Sequence, residues 1–186
     1  MNVTIKELTN DSDLIKSVQK FLFFQIKKEF GYDYVPEWHR DIIDLESYYI
    51  NPCRNNFFIA FNESDEIIAT IGIRAYDKNF LHFKGYYSKE YTSSIWRLYV
   101  DEKYRRCGLA SKLFSVAEDF AIKSHYQNIY LHTHKNLDGA IEFWKKMGFV
   151  ITVDENNELQ TVHMDKMIRG LDMSSQHSSF KFALEL

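Results

Sequence analysis

Apolar and polar positions alternate along this chain with two different periods, and the switches between them mark its elements. Val3 to Glu7 alternates as a short strand does. From Ser12 the period lengthens. Leu14, Ile15, Val18, Phe21 and Leu22 fall on one face of a helix that Asp11 or Ser12 can cap and Gly31 can end. Pro36 suits the first turn of a second helix, "PEWHRDIIDLESYYI", which stops near Asn51-Pro52. "NNFFIAFNESDEIIATIGIRAYD" reads as two strands joined by a polar turn at Asn62 to Asp65. The aromatic stretch "KNFLHFKGYYSKEYT" follows neither period. "SSIWRLYV" is a strand. Residues 106–123 are a helix with Leu109, Leu113, Phe114, Ala117, Phe120 and Ala121 on one face. "NIYLHTH" is a strand, "DGAIEFWKKMG" a helix closed by Gly148, and "FVITVD" with "LQTVHMDKMI" a hairpin.

The order β-α-α-β-β-β-α-β-α-β-β predicts an α/β domain, its mixed, mostly antiparallel sheet flanked by about four helices. The strand, helix, strand run in the second half calls for one parallel pair. Residues 1–168 read as this domain and 169–186 as an extension. Within the extension, "SSFKFALEL" alternates again and fits either an added strand or a flexible tail.

Bulk properties narrow the class. A length of 186 residues suits one domain. Two prolines and no low-complexity stretch leave no internal boundary. A net charge of −3 argues against a general nucleic-acid binder, so any basic patch is local. Cys53 and Cys107 give neither a disulfide framework nor zinc spacing. "MNVTIKELTN" shows no signal-peptide pattern, and no apolar run approaches the roughly 18 residues that span a membrane. The expectation is a cytosolic protein with no membrane or nucleic-acid partner.

The chemistry concentrates in "YVDEKYRRCGLASKLF", Tyr99 to Phe114. A strand runs into two arginines and a glycine, and a helix begins at once. Amides at a helix start point outward, and the helix dipole adds partial positive charge there. A phosphate fits that geometry, and glycine at 108 leaves room for it. Arg105, Arg106, Lys103 and Lys112 add charge. The stretch is neither a Walker loop nor a dinucleotide fingerprint, because the further glycines are absent. On these grounds a phosphate site and a solvated helix start remain equally open.

"RRCGLA" resembles the coenzyme A pyrophosphate motif of the GNAT family of N-acetyltransferases, Arg/Gln-x-x-Gly-x-Gly/Ala. "IWRLYVDEKYRRCGLASKLFSVAEDFA" is similar to that family's strand, loop and long helix, and "AIEFWKKMGF" to its later helix. The resemblance covers roughly residues 3 to 168 and extends to the element order. It implies a central parallel strand pair splayed around acetyl-CoA. It also implies that the backbone of Arg105, Arg106, Cys107, Gly108, Leu109 and Ala110 wraps the pyrophosphate, with Ser111 following in the same turn. Leu98, Tyr99 and Val100 would pair with the pantetheine arm. One of their amides would polarise the thioester carbonyl. Asn136, Phe143 and Trp144 would reach the cofactor from the later loop and helix. Cys107 then has no catalytic role, since it acts through its main chain.

The implied reaction is attack of a primary amine on acetyl-CoA, most simply a small-molecule amine. Such an amine is protonated at neutral pH, so a base must take its proton. Many relatives use a glutamate near the central strand, but "TSSIWRLY" holds no acid; Glu90 just precedes it. His132 and His134 face one side of the next strand and are the other candidates. Two histidines without an evident third ligand do not point to metal. A tyrosine that protonates the leaving thiolate in the family is replaced by Trp144, whose indole is no acid. Tyr99 or Tyr130 could stand in, or the thiolate could leave unaided. The asparagine of the family pattern is offset by one, at Asn136. The early helices carry Asp33, Glu37, Asp41 and Asp44 among aromatics, a mix that would suit a cationic amine, although an ordinary solvated face reads as well. Protein N-terminal or lysine acetylation is a second enzymatic reading, and a coenzyme A-binding sensor without activity a third. A homodimer is compatible with all of them.

Overall fold

The structure, a computed structural model, describes residues 2–78 and 80–168. Strands β1 (Thr4–Glu7), β2 (Asn56–Phe61), β3 (Ile67–Ala75), β4 (Thr92–Val100), β5 (Asn128–His134), β6 (Val150–Asp154) and β7 (Thr161–Met167) form one sheet. Its spatial order is β1-β2-β3-β4-β5-β7-β6. Among the described strands only β4 and β5 pair in parallel, and every other neighbouring pair is antiparallel. Helices α1 (Ser12–Phe30) and α2 (Pro36–Ile43) cover one face, and α3 (Leu109–Lys123) and α4 (Ala140–Lys146) the other. The element order and sheet type are those the periodicities predict. The extension at 169–186 lies outside the described residues.

Two cores explain why β2, "NFFIAF", is buried throughout. Phe57, Ile59 and Phe61 pack with Val18, Leu22 and Ile26 of α1. Phe58 and Ala60 turn the other way, toward Leu113, Phe114 and Ala117 of α3. A strand covered on both faces loses its alternation and reads as a continuous apolar run. The Asp11 carboxylate caps α1 by accepting from the amides of Asp13 and Leu14, each at 2.9 Å, and Gly31 closes the helix in a left-handed conformation.

Three local outcomes differ from the periodic reading. The second helix ends at Ile43 after a kink at His39, whose Nδ1 accepts the Val35 amide, and Glu46–Ile50 forms a separate π-helical turn. Helix α3 begins at Leu109 rather than 106, because Arg106 and Gly108 take left-handed φ angles of 62° and 82°. The aperiodic aromatic stretch forms a third cluster, in which Phe83 and Tyr87 pack on Tyr76 and Tyr130 and the Tyr87 hydroxyl donates to Asp165.

Candidate active site

The parallel pair stays together for only three positions, Thr92 with Asn128, Ser93 with Ile129 and Ser94 with Tyr130. Beyond Ser94 the two strands part. On its other side, β4 pairs Tyr99 with Thr70 and Trp96 with Gly72, so Arg97 and Leu98 together oppose Ile71 alone. This is a β-bulge centred on Arg97, whose φ is 49°. The Thr70 hydroxyl donates to the Arg97 carbonyl at 2.9 Å and holds the bulge. The extra residue resets the alternation. Ile95, Leu98 and Val100 face α3, while Trp96, Arg97 and Tyr99 face α1 and α2. Residues 95–100 of β4 have no ladder to β5.

The chain leaves β4 through a short 3₁₀ turn, Glu102–Tyr104, capped by Asp101. Arg105 then folds back. Its Nε donates to the Val100 carbonyl at 3.0 Å, and its guanidinium pairs with Glu29 of α1. Left-handed Arg106 and Gly108 follow, and Gly108 brings no side-chain cap to α3. Alternating backbone hands of this kind turn successive amides toward one concave point, a nest for an anion. A Cβ built on Gly108 would meet no protein atom within 4 Å. Backbone conformation, more than protein crowding, is therefore what requires glycine there.

The other wall of the gap is charged. The Arg97 guanidinium donates to both Asp41 oxygens and to the Trp38 carbonyl. The Tyr49 hydroxyl donates to Asp41 Oδ2 at 2.7 Å. Gly72 makes that possible, since a Cβ there would lie 2.7 Å from the Tyr49 ring. Burial works to raise the Asp41 pKa, but the Arg97 pair and the Tyr49 bond outweigh it and hold the carboxyl below its ordinary value. Arg74 and Lys78 flank the Trp96 ring, and the His132 ring meets its edge. Burial, with Lys78 next, drives the His132 pKa down to about 3, so this imidazole is neutral near neutral pH.

A strand pair that parts at a bulge and feeds a glycine-opened anion nest at a helix start is the layout expected of a coenzyme A site. The Acetyltransferase (GNAT) family profile matches residues 22–149. The chain belongs to the GNAT acetyltransferase family. It is 45% identical over 49 residues to the probable N-acetyltransferase san of Drosophila melanogaster, covering 26% of this chain and 27% of that protein. It is 24% identical over 111 residues to the human N-acetylaspartate synthetase, covering 60% of this chain and 33% of that protein. The chain therefore aligns with a third or less of the length of these curated relatives. A GNAT-family acetyltransferase structure from Staphylococcus aureus Mu50 superposes with a TM-score of 0.72 at 20% identity, covering 89% of this chain and 99% of that one.

Against this GNAT frame the expected site residues separate. Leu98, Tyr99 and Val100 line the parted segment of β4, and Arg105, Arg106, Cys107, Gly108, Leu109, Ala110 and Ser111 form the nest and the first turn of α3. The Cys107 thiol contacts the Tyr104 carbonyl. Asn136 is exposed in the loop after β5. Phe143 packs beside Trp144, and Trp144 is buried edge-on to Phe114 and Phe149. Its place is in the core rather than along the gap wall. Tyr99 faces α1, and burial raises its pKa to about 12, which makes its hydroxyl a weaker acid.

Glu90 is not brought together with the others. It lies in the turn before the paired, closed end of β4, whose first residue, Thr92, is already roughly 20 Å along the strand from Leu98 at about 3.3 Å per residue. His134 stands at the open end of β5 and packs against Phe30. Three of the four acids named in the early helices are engaged, Asp33 with Lys27, Asp44 with the Ser47 amide and Asp41 with Arg97, while Glu37 is exposed. Arg97, Arg74 and Lys78 did not stand out in the sequence. The signal available was the spacing Ile95, Leu98, Val100, a broken alternation that marks a bulge.

Proposed function

We propose that this GNAT protein transfers the acetyl group of acetyl-CoA to the primary amine of a small molecule within a ternary complex. The observation that carries this reading is the parting of β4 from β5 at the Arg97 bulge, directly before the Gly108 nest. Acetyl-CoA fits these residues. The nest offers main-chain amides to a pyrophosphate, and residues 95–100 offer β4 backbone to an extended arm. When bound, acetyl-CoA supplies a thioester carbonyl carbon for the amine to attack and a thiolate to leave. The name of one relative, an N-acetylaspartate synthetase, refers to a small acetylated amine and supports a small acceptor.

The chain's own groups divide the remaining work. His134 Nδ1 lies 3.0 Å from the Leu159 carbonyl. A carbonyl only accepts, so Nδ1 carries the proton and Nε2 keeps its lone pair for the amine's proton. His132 is too weak a base for that task at a pKa of about 3. With Trp144 in the core, the thiolate leaves without a tyrosine acid, as a thiol of pKa about 8.5 can. A thiol-release assay across an amine panel tests the transfer. Acetyl-CoA binding with no acceptor-dependent release would overturn it. His134→Gln should lower turnover by about 10²-fold or more while leaving acetyl-CoA affinity intact. Unchanged turnover would remove His134 as the base.

A further inference from the structure

Four basic groups border the Trp96 ring on the α2 side of the gap. Arg74 Cζ lies 3.8 Å from its centroid, Lys78 Nζ 4.2 Å and Arg97 Cζ 5.8 Å, and the His132 ring is centred 6.0 Å away. The nearby acids are already engaged, Asp41 by Arg97 and Tyr49, and Asp77 by Arg74. Two arginines and a lysine against two carboxylates leave one more basic group than there are acids. The group left over is Lys78, which makes no ion pair among the described residues. Arg74 is 5% exposed, and its Nε and Nη1, like the Trp96 Nε1, are buried donors without a hydrogen-bond partner among the described residues. Buried donors and a half-buried ammonium of this kind are costly unless an anion meets them. Burial and the neighbouring Arg74 accordingly hold the Lys78 pKa below its ordinary value.

We propose that this basic cluster receives a carboxylate of the acceptor, bound by Lys78 beside Trp96, so that the amine acetylated belongs to an amino acid or a similar small aminocarboxylate. The inference rests on the acetyl-transfer reading and narrows its substrate class. It also sets aside the cationic acceptor that the acids of the early helices would suit. A dication would add charge to a cluster already short of acids, whereas a zwitterion delivers the missing anion. Once its carboxylate is held at Lys78, the α-amino group is held near the bulge beside Arg97.

The test compares the free L-amino acids with their C-terminal amides and with the matching decarboxylated amines, using wild-type protein, acetyl-CoA and thiol release. Acids should exceed amides in kcat/KM by about tenfold or more. Lys78→Met should collapse that ratio toward one, and Lys78→Arg should restore most of it. Amides or decarboxylated amines acetylated as well as acids would overturn the proposal, as would an acid preference that survives Lys78→Met. A second measurement does not depend on turnover: calorimetric titration of N-acetyl amino acids and their amides into the complex with CoA. Carboxylate-dependent binding lost in Lys78→Met supports the proposal, and equal binding of acids and amides overturns it. Failure of acetyl-CoA itself to bind would instead strike the underlying transferase reading.

Discussion

Replacing Asp41 with asparagine tests how the Arg97 bulge is held. Asp41 is 4% exposed and accepts from Arg97 Nε, from an Arg97 terminal nitrogen and from the Tyr49 hydroxyl. The substitution keeps the shape but leaves the Arg97 guanidinium, itself largely buried, without its counter-charge. Breaking a buried pair by removing one partner costs about 3–5 kcal/mol. A backbone at φ 49° adds to the demand, since a left-handed non-glycine residue costs about 1–2 kcal/mol that surrounding contacts must offset. For a chain of this size the loss corresponds to a drop in melting temperature of roughly 10 °C. Urea denaturation at pH 7 measures it, with Arg97→Met and the double variant completing a cycle. The double variant should be less destabilised than the sum of the singles by about 1–3 kcal/mol, since neither charge is then stranded. A loss below about 1 kcal/mol for Asp41→Asn would refute the account, because the pair would then behave as an exposed one. The Asp41 contribution also has a pH signature. Its folded-state pKa is depressed, so the stabilisation is complete above the unfolded value of about 3.9 and fades as pH falls below it.

Two further variants probe the other walls of the gap. Gly108→Asn should fold close to wild type, because asparagine tolerates the left-handed conformation, yet raise the acetyl-CoA Kd by about tenfold or more by placing a side chain over the nest; calorimetry giving wild-type affinity would show that the anion binds elsewhere. His132→Gln should flatten the fall of stability in acid. The native imidazole titrates near 3 and the unfolded one near 6.5, so between those values only the unfolded chain takes up the proton, and stability falls by about 1.4 kcal/mol per pH unit as pH drops below 6.5. Denaturation curves at pH 6 and 5 should therefore differ less in the variant by about that amount, and an unchanged difference would show that His132 is protonated in the folded protein.

The legibility of this protein followed the range of the interaction. Features set within a few residues could be read from the chain: the Asp11 cap, the Gly31 stop, the "NESD" turn and the element order. Gly108 was legible too, and the structure adds that a φ of 82° is what demands it. The bulge was not announced by any glycine or proline, since Arg97 takes its positive φ only with Thr70 and Asp41 in place, 27 and 56 positions away in sequence. Asp41 shows the consequence for function. Counted along the chain, it is one of several acids in an aromatic segment and argues for a cationic acceptor. Folded, its charge is consumed by Arg97, and the remaining charge of the wall belongs to Lys78, a residue in the stretch that had no period. The sign of a binding pocket is thus set by which charges are left over after the fold has paired the rest. That remainder is a property of contacts between α2, β3 and β4, which no local window of sequence contains.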